Sequence, residues 1–226
     1  ATELDPNIAS TYVNRGAINA AAGNLNSAVE DYGAAISVDP NYLDAYINRR
    51  SAYDGLGLFI DAVHDYDSAL LLAPDSPTLY INRGASYYSQ GEVQQALADF
   101  EKAVSLDPTS APAWYKLGVA HEDGGRLEQA VADYGRVLDI TPEDVNALVN
   151  RALVYSTLER FGQAVADMDR AVTIDPTYAK AYLIRASAHA RSGMEAKSMA
   201  DIDRAVALGI DRAKAEQSIA RVTASP

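Results

Sequence analysis

Few side chains in this sequence are of a type that does chemistry, and their spacing decides among the uses. The three histidines, His64, His121 and His189, are far apart in the chain. No two share a helical turn, as a pair of imidazoles on one zinc-binding helix would. The chain has no cysteine, which excludes thiolate nucleophiles, disulfides and Cys-ligated zinc. Gly55-Leu56-Gly57 and Gly124-Gly125 lack the preceding strand and following Lys-Ser/Thr of a phosphate loop. Carboxylates are abundant but recur in register: Asp31, Asp65, Asp99, Asp133, Asp167 and Asp201 stand at one constant interval. Arg15, Arg49, Arg83, Arg151 and Arg185 each precede one of them by the same offset, and Asn14, Asn48, Asn82 and Asn150 stand directly before four of those arginines. An acid that repeats by column is architecture rather than a catalytic pair. A column of amides, each a donor and an acceptor, is suited to binding. Neither catalysis by this chain nor a cofactor or metal is expected.

The elements that must position these columns share the same period. Pro6, Pro40, Pro74, Pro108, Pro142 and Pro176 are spaced evenly, at the interval that separates the aspartates. A fixed period of roughly 20–50 residues marks a solenoid or array. With the proline at position 32, the repeats are 9–42, 43–76, 77–110, 111–144, 145–178 and 179–212. Position 20 is Ala28, Ala62, Ala96, Ala130, Ala164 and Ser198, and position 24 is Tyr32, Tyr66, Phe100, Tyr134, Met168 and Ile202. Apolar residues recur at 4, 8, 11, 17, 20, 24 and 27, the spacing of two amphipathic helices. Gly23, Gly57, Gly91, Gly125 and Gly193 divide the two, and the Asp-Pro or Thr-Pro near 31–32 stops the second. Positions 7 and 23 are equally far from that divide, so the arginine and aspartate columns are expected at one level of an antiparallel pair, with planar, bidentate pairing. In repeat 4 Leu117 stands at position 7, leaving Asp133 without an arginine. His121 and His189 sit in the ring column at position 11 and are expected to be half-buried packing residues.

These columns resemble the tetratricopeptide repeat, a helix-turn-helix of the same period with an aromatic at 4, small residues at 8, 20 and 27, rings at 11 and 24 and Pro at 32. AWYKLGVAHEDGGRLEQAVADYGRVLDITP in repeat 4 matches most of it. The resemblance covers six repeats without insertion. Arg50 departs from it at the small position 8 of repeat 2, and Glu195, Ser198 and Ile202 weaken repeat 6. The resemblance implies an all-α solenoid of six helical hairpins, wound as a right-handed superhelix whose first helices line a concave groove through positions 2, 5, 6, 9, 12 and 13. Carried over, the groove would hold Asn14, Asn48, Asn82, Lys116 and Asn150 at position 6. Val13, Ile47, Ile81, Tyr115, Val149 and Leu183 would line it at position 5. The amides are similar to the asparagine ladder of O-linked N-acetylglucosamine transferase repeats, interrupted here by Lys116 and Ile184. The alternative is that these asparagines cap or tether neighbouring helices. The carboxylate clamp of chaperone-tail receptors is not matched, since Val13, Ala17, Thr78 and Asn82 stand where its ligands would and only Asn48 fits.

The ends fit the same frame. Residues 1–8, ATELDPNI, match positions 27–34 of a preceding repeat, so the chain is expected to be part of a longer protein. Residues 213–226 are expected to form a capping helix and tail, with Ala213, Ile219, Ala220 and Val222 facing repeat 6. The formal net charge of −12 argues against nucleic acid and anionic membranes as partners. No apolar run reaches the ~18 residues of a membrane span. The charge is graded: −8 over residues 1–76, −4 over 77–142 and zero over 143–226. A neutral or basic partner segment is therefore expected. The primary reading is a non-catalytic protein-interaction scaffold that binds a peptide or helix. The alternatives are a substrate-presenting domain of a larger enzyme and a self-associating structural protein. Nothing in the sequence assigns a compartment.

Overall fold

The helices bury alanines against larger side chains, a ring in the second helix of each of the first four hairpins, and a residue in left-handed conformation lets the chain turn back. The computed structural model describes residues 6–224, with side chains over 8–221. Residues 1–5, which hold most of the expected remnant of a preceding repeat, lie outside the described residues, as does the side chain of Val222. Thirteen helices and no strand occur among the described residues. They cluster into two compact units, Ala1–Pro108 and Thr109–Pro226.

The first unit holds α1 (Pro6–Ala21), α2 (Leu25–Val38), α3 (Leu43–Leu56), α4 (Phe59–Leu72), α5 (Pro77–Ser89) and α6 (Val93–Leu106). The hairpins are α1/α2, α3/α4 and α5/α6; α2 also packs on α3, and α4 on α5. The second unit holds α7 (Ala111–Asp123), α8 (Leu127–Ile140), α9 (Val145–Thr157), α10 (Phe161–Ile174), α11 (Ala179–Arg191), α12 (Glu195–Ala207) and α13 (Arg212–Ala224). Its hairpins pair in the same way, and α13 lies on α11 and α12. On α13 the residues turned inward are Ala215 and Ile219, one helical turn apart, while Ala213 and Ala220 are exposed. The expectation that Ala213 faces repeat 6 is thus corrected, because the buried stripe runs through 215 and 219, whereas Ala220 borders a cleft with Ser198 and Ile202 of repeat 6.

The turn inside each hairpin needs φ near +70 to +80°, taken by Gly23, Gly57, Gly91, Gly125 and Gly193. In the fifth hairpin Glu159 adopts φ 58° instead. Between hairpins, Asp39 and Asp175 accept backbone N–H groups of Asn41 (3.0 Å) and Thr177 (2.9 Å), which sets the Asp-Pro turns. Asp144 and Ser110 cap α9 and α7 through the N–H groups of Ala147 and Ala113.

The core is small residues under large rings. Ala28, Ala62, Ala96, Ala130 and Ala164 are fully buried, and so, nearly, are the rings of Tyr32, Tyr66, Phe100 and Tyr134. The ring lies directly on the backbone of the paired helix. A Cβ added at Gly16, Gly84 or Gly118 would meet the ring of Tyr32, Phe100 or Tyr134 at 2.6, 2.7 and 2.9 Å respectively. Position 8 is small for that reason, and Arg50 breaks the rule in α3.

Candidate functional site

The position-6 asparagines fall into two environments. In the first unit Asn14 is exposed, and Asn48 and Asn82 are half-buried. None of the three side chains has a hydrogen-bond partner among the described residues. Ile47 and Ile81 beside them are half-buried, while Val13 belongs to the core of the first hairpin. In the second unit Asn150 is engaged: its Nδ2 donates to the Tyr115 hydroxyl at 2.9 Å and reaches the Tyr134 hydroxyl at 3.4 Å. Tyr134 donates onward to Glu122 Oε2 at 2.7 Å. Burial, followed by that carboxylate, holds the Tyr134 phenol above its usual range. Val149 is a core residue at 4% exposure and Ile184 is buried too. Lys116 is exposed and Leu183 half-buried. The position-6 column is thus open in the first unit. In the second unit Asn150 is a tether between helices.

Arg50 is absorbed by a polar cluster between α3, α4 and α5. Its Nη1 donates to the Tyr66 hydroxyl at 2.6 Å, and the guanidinium carbon stands 4.8 Å from the centre of that ring. Asp54 Oδ2 is 3.5 Å from the same nitrogen. Asp54 Oδ1 accepts from Ser86 Oγ on α5 at 3.1 Å. The Nε of Arg50 is buried with no hydrogen-bond partner, an arrangement that costs about 1–3 kcal/mol or more for a charged group. A cleft of about 230 Å³ opens here, lined by Arg50, Asp54, Phe59, Tyr66, Asn82 and Ser86 among others. This cleft was not legible in the residue columns, where Arg50 stood only as an exception. Its signal was a long charged side chain at a position reserved for glycine or alanine.

The arginine and aspartate columns meet inside every hairpin but the fourth. Arg49 Nε and Nη2 donate to the two oxygens of Asp65 at 2.8 and 2.6 Å, and Arg151 holds Asp167 at the same distances. Arg83 holds Asp99 likewise and adds Asp67 through Nη1 at 2.6 Å. Arg185 holds Asp201 at 2.9 and 2.6 Å and adds Asp169 at 2.7 Å. In the first hairpin Arg15 donates twice to Asp31 Oδ1, and Asn19 Nδ2 serves Oδ2 at 2.9 Å. Those hydrogen bonds hold the Arg83 and Arg185 guanidiniums above, and the Asp31 carboxyl below, their ordinary ranges. Rings at positions 4 and 11 flank the guanidiniums, as Tyr80 and Tyr87 do for Arg83 at 5.6 and 5.8 Å. In the fourth hairpin the position-7 column offers Asp133 no arginine, as expected, and a histidine serves it instead. With Leu117 at position 7, His121 on the next turn brings Nδ1 to 2.6 Å from Asp133 Oδ2. His121 and His189 are both 6% exposed, so they are buried rather than half-buried.

Family models decide what this repeat is. A TPR-repeat model matches residues 84–125 and 123–159, and a tetratricopeptide-repeat model matches 9–42 and 145–178, together more than half of the chain. The chain is a tetratricopeptide repeat protein. Proteins of this kind generally mediate protein–protein interactions. No curated protein matches its sequence. Among solved structures, this repeat protein is similar to YrrB, described as a TPR protein with an unusual peptide-binding site, at 20% identity and TM-score 0.72 over 84% of this chain and 98% of that one. It is similar to pilF of Pseudomonas aeruginosa at 16% identity and TM-score 0.72, over 94% and 97%. MamA matches at 23% identity and TM-score 0.70, over 76% and 94%. At these identities the likeness is one of fold. Among the described residues of this TPR protein, no group of three or more His, Asp or Glu is placed to hold a metal ion. Among the described residues no helix is long and apolar enough to cross a membrane.

One histidine of the repeat array carries a pH dependence. Burial pushes the His189 imidazole below its ordinary value of 6.5, against the attraction of Asp201, whose Oδ2 is 3.8 Å from Nε2. The unfolded chain therefore takes up this proton first, and stability falls as pH drops below about 6.5. His189→Tyr installs the ring that this column holds at Tyr53, Tyr87 and Tyr155. We expect calorimetry to show a melting temperature that declines by a few degrees less for the variant than for the wild type between about pH 7.5 and 5.5. Parallel declines would place the titrating group elsewhere.

Proposed function

We propose that this chain is a non-catalytic interaction module that holds an extended peptide segment against the first helices of its repeats. The observation that carries this is the pair of half-buried amides, Asn48 and Asn82, whose side chains bond no other described residue, each beside a half-buried isoleucine, Ile47 and Ile81. An amide can donate to one peptide carbonyl and accept from one peptide N–H, so it reads a backbone in any sequence. The isoleucines supply apolar area beside it. The YrrB structure offers a precedent for peptide binding on this fold. In this reading Asn150 and Val149 serve architecture, and the binding face of the first unit does the recognition.

Charge supports a neutral or basic segment. Residues 1–108 carry 15 acids against five bases, a net of −10. Four of those bases, Arg15, Arg49, Arg50 and Arg83, already face carboxylates of the same unit. The field is therefore acidic and steers cations toward it, more strongly at low salt.

Selection of a random-peptide phage library on the full chain tests this reading. Selected peptides should be neutral or basic. The Asn48→Ala/Asn82→Ala double variant should bind them roughly tenfold more weakly. Its melting temperature should be unchanged, because neither side chain has a bond to lose. Acid-rich selected peptides, or equal binding by the variant, would sink the proposal.

A further inference from the structure

We infer that the cleft between α3 and α5 is a side-chain pocket for a neutral carboxamide, the side chain of a glutamine or asparagine in the bound segment. The inference deepens the peptide-binding reading and rests on it for the source of that side chain.

The cleft exists because Arg50 stands where a ring should lie on bare backbone. At Gly16, Gly84 and Gly118 there is no room even for a Cβ. The third helix gives up that contact, and Arg50 does not repay it with a strong pair. Its distance to Asp54 is 3.5 Å, against 2.6 Å between neighbouring Arg49 and Asp65. Its Nε is buried without a partner. Its compensation is partial, one hydrogen bond and a ring contact with Tyr66, and a residue that breaks the local packing rule, leaves a buried donor unpaired and lines a cleft marks a functional position.

The second unit shows the same place with its polar groups bonded to one another. There Gly118, Glu122, Tyr134 and Asn150 occupy the positions of Arg50, Asp54, Tyr66 and Asn82. Asn150 is used up by the hydroxyls of Tyr115 and Tyr134. In the first unit Ile47 replaces Tyr115, and Arg50 takes the Tyr66 hydroxyl. The Asn82 amide is left open at the rim of the cleft, with both its donor and its acceptor.

The ligand follows from the lining. Arg50 and the Asn82 amide offer donors; Asp54 and the Asn82 carbonyl offer acceptors. Arg50 and Asp54 cancel in charge. A carboxylate would meet Arg50 but also Asp54, inside a unit of net charge −10. An ammonium group would meet Asp54 but also Arg50. A primary carboxamide carries one acceptor and two donors with no net charge, and Phe59 and Ala85 wall the cleft for its methylenes.

The test is a titration of the isotope-labelled full chain with N-acetylglutamine methylamide, followed by amide chemical shifts. The corresponding glutamate, lysine and norleucine amides serve as controls. We expect saturable shifts at Asn82, Ala85 and Ser86, with at least severalfold weaker response to the three controls. Arg50→Ala and Asn82→Ala should each abolish the saturation. Arg50→Ala should melt no lower than the wild type, because it restores the small residue of the other repeats. The inference is overturned if no shift saturates, if the four probes behave alike, or if saturation survives Arg50→Ala. A melting temperature lowered by more than about 5 °C in Arg50→Ala would make that arginine a structural residue, which also overturns it. The two readings fail separately. Peptides that depend on Asn48 but show no carboxamide preference would remove the pocket alone. A saturating carboxamide with no selectable peptide would remove the extended-peptide reading alone.

Discussion

Replacing Arg83 with leucine is expected to destabilise the protein by about 3–5 kcal/mol, the usual loss when one partner of a buried ion pair is removed. Asp99 is 4% exposed and takes both of its close hydrogen bonds from this guanidinium. Asp67 would lose its partner in the same step. The chain already contains a repeat built without the arginine. Leu117 occupies the place, and His121, on the following turn, hydrogen-bonds Asp133. Tyr87 is the counterpart of His121. We therefore expect Tyr87→His to recover about 1–3 kcal/mol when added to Arg83→Leu, and to be unfavourable in the wild type. Guanidinium denaturation followed by circular dichroism measures both, and the slope should remain constant so that midpoints can be compared. A loss below about 1 kcal/mol for Arg83→Leu would show that the pair sets register without contributing stability. Absence of recovery in the double variant would show that the histidine solution depends on other features of the fourth hairpin.

The second large effect is expected from Phe100→Ala, also about 3–5 kcal/mol. The Phe100 ring is 1% exposed and lies against the backbone at Gly84, where even a methyl group would come within 2.7 Å. Where the ring faces Gly84 the opposing surface is helix backbone, which has no side chain to fill the space. Leu71→Ala provides the contrast, since that side chain is 86% exposed and its removal should cost almost nothing. Thermal melting of the two variants separates them. Similar melting temperatures would mean that the ring is not held as the structure shows.

Both effects rest on columns, and columns are what a repeat makes legible. A residue type that recurs once in every repeat reports a shared environment, so the small residues, the rings and the two-helix period could be read without coordinates. The exceptions could not. Periodicity averages over the repeats, and a side chain that departs from its column is settled by whichever neighbour it can reach. Arg50 reached the Tyr66 hydroxyl across the hairpin and opened a cleft. His121 turned to Asp133 because Leu117 left that carboxylate unserved. Asn150 found Tyr115, whereas Asn82, with Ile47 in the equivalent place, found nothing. Val13 and Val149 share a column with half-buried Ile47 and Ile81, yet they are core residues.

The sequence by itself determined the all-α repeat, its family and the columns of acid, arginine and amide, because those depend on spacing along one chain and on the geometry of a single helical hairpin. Only the tertiary structure decided which amides are open, which arginine lines a cleft and which histidine replaces a guanidinium. Those outcomes depend on atoms of neighbouring helices within about 3 Å of one another, a proximity that no periodicity encodes.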